Sequence, residues 1–278
     1  MASRLLNKTG GKILNSVRYN TISEVKKVTK AGIIVVGDEV LKGVIQDTNS
    51  NYLAVELHKI GVRLKKISVI GDNIEEVSKE VRHFSDSFDY VLTTGGIGPT
   101  HDDITYEAVA KAFNEKLVLN TELKDICLKF YDTIDINCPG MKMAYIPESS
   151  KLNFKAGIQG PKMNYPNVSV NNVFIFPGVP EMMKKSFSIV KEVFQSNEKF
   201  YAEFVYLTVP EIEIINILET VVKEFPNVEV GVYPVLFNKF YKVKVTIESC
   251  EEKSTRQAYD RMISLIPKDF IVDSENIK

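Results

Sequence analysis

No stretch of the chain approaches the roughly 18 apolar residues that a bilayer-spanning helix needs, so an integral membrane protein is not expected. Cysteine is scarce. Cys127, Cys138 and Cys250 are odd in number and far apart, which offers neither a disulfide framework nor a zinc site and suits a reducing compartment. Net charge is nearly absent at −1, so there is no whole-chain electrostatic case for nucleic acid. Fixed-period repeats and low-complexity segments are missing as well. What remains is an ordinary globular composition over 278 residues, enough for one large domain or two modest ones.

The charge is unevenly placed. Residues 1–30 hold seven basic side chains against the single acid Glu24, a net +6 that leaves −7 for the rest of a chain whose total is −1. On a helical wheel Arg4, Lys8, Lys12 and Arg18 fall on one side and Leu6, Ile13, Leu14 and Val17 on the other. A basic, acid-poor amphipathic leader on an acidic body is the pattern of a mitochondrial transit peptide, and no continuous apolar segment of a secretory signal is present. Gly10 and Gly11 weaken that helix by about 1 kcal/mol each, which keeps a simple N-terminal tail and a cytoplasmic protein as the alternative to the mitochondrial matrix.

Beyond the leader, short apolar strands alternate with helices. The spacing predicts strands over 31–36, 62–70, 90–94 and 172–176, and helices over 49–60, 74–84, 104–113, 122–130 and 180–195. This rhythm implies βαβ units, hence a three-layer α/β fold with a mostly parallel sheet covered on both faces. The stretch 138–166, rich in Pro, Gly, Asn and Lys, reads as an excursion from the sheet. After about residue 200 the order becomes β (204–209), α (211–225), β (228–235), β (241–248), α (254–266), β (270–272). That is a smaller ferredoxin-like α+β domain. The expected division is therefore a leader over 1–30, an α/β domain over 31–200 and the α+β domain over 201–278.

Ligands of open α/β sheets bind beyond the carboxyl ends of the strands. The third strand runs into Thr93-Thr94-Gly95-Gly96-Ile97-Gly98-Pro99-Thr100-His101-Asp102-Asp103. Glycines that turn backbone N–H groups inward, followed by a helix N-terminus, suit a phosphate. The spacing is that of neither a Walker loop nor a dinucleotide fingerprint, and the plainer reading is a tight turn with Asp103 as helix cap. The first strand runs into Gly37-Asp38-Glu39 and then Asp47-Thr48-Asn49; these acids could hold a hydrated divalent cation, or Asp47 or Thr48 could simply cap a helix. Asp72 ends the second strand, and Pro177-Gly178 form a stiff wall after the fourth. Parallel strands would bring all these ends to one edge. His101 is the one histidine expected near a ligand. The Lys and Tyr alternation at 241–245 reads as an exposed sheet edge.

These motifs resemble a known family. Gly37-Asp38-Glu39-x-Leu41-x-Gly43, Asp47-Thr48-Asn49, the glycine loop through Thr105, and Pro177-Gly178-Val179-Pro180 look like the MoaB/Mog-type molybdopterin-binding domain in its CinA-like branch. Tyr165-Pro166-x-Val168-x-Val170, Tyr233-Pro234 and Tyr241-Lys242-Val243-Lys244 resemble the N-terminal module of eukaryotic FAD synthase more closely still. The resemblance implies a nucleotide-pyrophosphate ligand and metal-dependent hydrolysis, with FAD (giving FMN and AMP) or ADP-ribose as substrate. The residues given hold no counterpart of the domain that carries FAD synthesis, so synthesis is not expected of them alone. The expected catalytic residues are Asp72, Asp102 and Asp103. The expected ligand-binding residues are Thr94, Gly95, Gly96, Gly98, Pro99, Thr100, Asp47, Asn49, Pro177 and Gly178. Asp38, Glu39 and Asp103 are the expected ligands of Mg, Mn or Co. FAD or a pterin nucleotide is the expected bound cofactor, and a homo-oligomer, through the tail, the expected partner. Pterin or flavin-nucleotide binding without turnover, and molybdopterin adenylylation, are the alternatives.

Overall fold

A computed structural model describes residues 28–155, 163–194 and 196–272. Nearly all of the basic leader, and so the transit-peptide expectation, lies outside the described residues. In chain order the elements are β1 (Lys30–Val36), α1 (Asp38–Leu41), α2 (Asn49–Lys59), β2 (Arg63–Ile70), α3 (Ile74–Ser87), β3 (Tyr90–Thr94), α4 (Thr105–Ala112), β4 (Leu117–Leu119), α5 (Thr121–Phe130), β5 (Tyr145–Pro147), β6 (Lys151–Asn153), β7 (Asn167–Val170), β8 (Val173–Phe176) and α6 (Pro180–Val190). A second group follows: β9 (Tyr201–Leu207), α7 (Ile215–Glu224), β10 (Glu229–Pro234), β11 (Val243–Ser249) and α8 (Glu252–Leu265).

The main sheet has the order β2-β1-β3-β8-β7-β6. Its first four strands are parallel, while β7 runs antiparallel to β8 and β6 antiparallel to β7. Both faces are covered, which is why β1 reads as an unbroken apolar run. Ile34 and Val36 point into one core with Val77, Val81 and Phe84 of α3. Ala31, Ile33 and Val35 point into the other with Leu53 and Leu57 of α2 and Phe187 of α6. Local sequence supports the helices: Asn73 Oδ1 accepts from the Glu75 and Glu76 N–H groups at 2.9 and 3.2 Å, capping α3.

The C-terminal group forms a separate antiparallel sheet, β10-β11-β9, with a core of its own beneath α7 and α8. Val243, Val245 and Ile247 of β11 face that core, as their alternation predicts. The His58 ring lies 4.6 Å from that of Phe200 and its Nε2 is 3.0 Å from Glu248, so this surface histidine ties α2 to β11 of the second sheet.

Four expectations change. The alternating stretch at 241–245, read as an exposed sheet edge, leads into β11, the middle strand of its sheet. The stretch 138–166 is not wholly an excursion, because β5 pairs with β4 and β6 forms the edge of the main sheet; strands of three residues are too short to show a period. The last strand, 270–272, is reduced to a 3-10 turn over Lys268–Phe270 and a single bridge between Ile271 and Leu207. The helix expected to reach 195 ends at Val190, where the chain turns the Phe194 ring in to stack 5.6 Å from Phe187; residue 195 lies outside the described residues. Among the described residues no helix is long and apolar enough to cross a membrane.

Phe187 is only 1% exposed and packs against both Phe194 and Phe176. Phe187→Ala is expected to cost about 3–5 kcal/mol, read as a lower urea midpoint with an unchanged slope.

Candidate functional site

The carboxyl ends of β1, β3 and β8 lie side by side, and the loop that follows β3 is tied down from several directions. Gly95 and Gly96 have φ of +101° and +62°, a region that side chains other than glycine enter at a cost. A Cβ on Gly95 would strike the Val36 carbonyl, and one on Gly96 would strike Thr105 Oγ1. Thr105 returns the contact: its hydroxyl donates to the Gly95 carbonyl at 2.8 Å and its N–H to the Gly96 carbonyl at 3.0 Å. Asp103 does not cap α4, whose cap position is Ile104. Its carboxylate instead accepts from the N–H and hydroxyl of Thr100, closing the far side of the loop. Lys142 donates to the Thr100 carbonyl at 2.6 Å.

Gly95 and Thr100 therefore use their N–H groups internally, the first toward the Phe176 carbonyl at 3.2 Å. The N–H groups of Gly96, Ile97 and Gly98 have no hydrogen-bond partner among the described residues.

Asn49, the first residue of α2, joins three chain segments. It is 6% exposed, and its Nδ2 donates to Thr94 Oγ1 at 2.9 Å and to the Gly178 carbonyl at 2.7 Å. Thr94 Oγ1 in turn donates to the Pro177 carbonyl at 3.1 Å. Asp47 caps the same helix, accepting from the N–H groups of Asn49 and Ser50 at 2.9 and 3.0 Å. Asp47 does this from one residue before the cap position, which is Thr48.

A cleft of about 380 Å³ opens at this edge. Of the residues singled out from sequence, Glu39, Asp47, Asn49, Thr94, Gly95, Gly96, Asp103 and Gly178 line it together. A second cleft of about 420 Å³ adjoins it through the shared Ile97, Gly178 and Val179. Pro177 lines this second, mainly apolar cleft, together with Met143, Met163, Tyr106 and Tyr165. The Tyr106 and Tyr165 hydroxyls are 3.4 Å apart. Burial pushes Tyr165 up to about 12 and Tyr106 well above its ordinary value, so both stay neutral phenols at neutral pH. Gly98 lines a smaller cleft of about 210 Å³ beside Lys142, and Pro99 and Thr100 lie outside all three.

The remaining acids are arranged otherwise than expected. Asp38 and Asp72 lock to each other: each carboxylate accepts the other's N–H, at 3.1 and 3.3 Å. Lys42 pairs with Asp38 at 2.8 Å and holds its carboxyl below the usual range. Burial pushes Asp72 up, and the nearby charges of Glu39, Asp38 and Asp102 add to the rise. Neither Asp38 nor Asp72 lines the cleft, nor does the exposed Asp102 or the exposed His101. Nothing among the described residues donates to the Glu39 carboxylate, which does line it. Among the described residues no three of His, Cys, Asp or Glu gather as a metal-holding group. The donor set Asp38, Glu39 and Asp103 therefore does not fit a resident ion. Sequence reading missed the tyrosine pair, Met143, Met163 and Lys142; the Tyr165-Pro166 motif was the one available signal.

The description "Probable molybdopterin binding domain" matches residues 32–195, and "FAD synthase, middle domain" matches 199–275. The chain belongs to the molybdopterin-binding-domain family. It is 36% identical over 249 residues to a "Probable FAD synthase" of Caenorhabditis elegans, covering 82% of this chain and 48% of that one. It therefore spans about half the length of that relative and of its Caenorhabditis briggsae counterpart. A protein of Archaeoglobus fulgidus is 37% identical over 202 residues, covering 73% of this chain and 84% of its own length. Among solved structures, the CinA protein of Thermoplasma acidophilum, described as of unknown function, aligns with a TM-score of 0.54 at 28% identity, over 60% of this chain and 98% of that one.

The Asn49 tie makes a sharp prediction. Asn49→Ala loses two buried hydrogen bonds and is expected to cost about 1–3 kcal/mol. Asn49→Asp keeps the shape but turns the donor into an acceptor facing the Gly178 carbonyl, so it is expected to melt no higher than the alanine variant. A thermal melt in which Asn49→Asp matches the parent protein would contradict the tie.

Proposed function

We propose that this chain hydrolyses the pyrophosphate bond of a nucleotide, with FAD as favoured substrate, giving FMN and AMP. The observation that carries the proposal is the pairing of two uncommitted backbone donors, Gly96 and Ile97, with the Glu39 carboxylate in the same cleft. Donors fixed in place before the reaction stabilise charge that develops on phosphoryl oxygens. The adjoining apolar cleft, with its neutral tyrosines and methionines, suits a flat ring system on one side of the diphosphate. The relatives named as FAD synthases favour a flavin nucleotide over a pterin.

No resident metal is part of this reading. A magnesium-type cation is commonly carried by substrate phosphates and touches only one or two protein carboxylates, and Glu39 and Asp103 are the pair lining the cleft. Such an ion would neutralise phosphoryl charge. The protein's own part is to hold the diphosphate on the loop amides, to seat the ring, and to present Glu39 as acceptor for a proton of the attacking water.

The test is incubation of the purified chain with FAD and Mg, Mn or Co, with chromatography for FMN and AMP. Release is expected, and Glu39→Gln should lower it by roughly a hundredfold or more; Asp103→Ala should abolish it. Saturable FAD binding without product under all three metals would favour a binding protein and overturn the hydrolase.

A further inference from the structure

The hairpin joining β10 to β11 has no part in the cleft. At its tip Leu236, Phe237 and Phe240 are 80%, 102% and 56% exposed. Phe237 has φ +61°, left-handed backbone that is a genuine outlier for a bulky residue. The loop is bonded in that shape. Asn238 Oδ1 accepts from the N–H groups of Phe240 and Tyr241 at 2.8 and 3.2 Å, and the Val235 N–H donates to the Lys242 carbonyl at 2.7 Å. A frame of hydrogen bonds thus holds apolar side chains outward, in a conformation that costs free energy. Such strain persists where the surroundings enforce it, and it clusters at functional positions.

Charge supplies the second observation. From 230 to 247 the sequence carries Lys239, Lys242 and Lys244 and no acid, within a body whose net charge is −7. A local basic stretch around an apolar tip is the composition that binds the boundary between lipid headgroups and acyl chains.

We propose that this hairpin docks the protein on an anionic phospholipid surface. Leu236, Phe237 and Phe240 enter the headgroup boundary, and Lys239 and Lys242 meet the lipid anions. A fluid surface asks for no shape match, which suits a projecting tip. A stable protein interface would need about 800 Å² from each partner, more than a tip of three side chains provides. The proposal is independent of the hydrolase reading.

The full chain would be sedimented with phosphatidylcholine vesicles, with and without phosphatidylserine. Roughly tenfold more protein should pellet with the anionic vesicles, and added salt should reverse this. Phe237→Asn keeps a residue that tolerates left-handed backbone, so it should fold, retain any FAD turnover and lose vesicle binding. The Lys239→Glu, Lys242→Glu double variant should lose it too. Equal pelleting with both vesicle types would overturn the proposal, as would vesicle binding retained by Phe237→Asn. So would a concentration-dependent dimer in light scattering that Phe237→Asn abolishes. An RNA gel shift abolished by the lysine reversals without vesicle binding would overturn it as well.

Discussion

Asn49 gives one side-chain hydrogen to Thr94 and the other to the Gly178 carbonyl, while Thr94 passes its own to Pro177. Residues from the start of α2, the end of β3 and the loop after β8 are thereby fixed to one another. The polarity of the chain of donors leaves no slack: a carbonyl only accepts, so Asn49 must donate to it, and the Thr94 hydroxyl must donate onward. The parallel sheet brings the strand ends near one another, but this tie and the Thr105 bonds to Gly95 and Gly96 set the loop shape that leaves three amides uncommitted. These hydrogen bonds set the directions of the loop's dipoles within the fold, the condition under which fixed dipoles are worth most.

Much of this was readable in the sequence, for identifiable reasons. β1 and β8 announced themselves because strands buried on both faces are continuous apolar runs, and β11 because a half-exposed strand must alternate. The edge of parallel strands where ligands bind follows from topology, so the convergence of Glu39, Asn49, the glycine loop and Gly178 could be expected without coordinates. The hydrogen-bond partners could not. Asp103 looked like a helix cap from its place before α4, yet it closes the Thr100 turn; Asp38 looked like a metal ligand, yet it is matched to Asp72 and Lys42. The Asp38 match to Asp72, thirty-four positions away, has no local signal, and a carboxylate with several donors within reach does not announce which it will take. The apolar cleft was hidden for a similar reason, since Tyr106, Met143 and Tyr165 come from separate segments whose meeting is purely tertiary.

Electrostatics makes the cleft an unusual place for a diphosphate. Glu39, Asp47 and Asp103 all line it, and two unit charges a few ångströms apart at an effective dielectric near 20 repel by about 4 kcal/mol. The three acids do not weigh equally. Asp47 accepts from two N–H groups at the start of α2, and Asp103 from Thr100, so part of their charge is already answered by donors. Glu39 is not so answered. A diphosphate on the loop amides, as proposed, would therefore feel Glu39 most strongly, and that repulsion would fall if the carboxylate met a cation brought by the phosphates. On the proposed reading, a charge pattern that hinders a bare anion favours a cation–diphosphate complex.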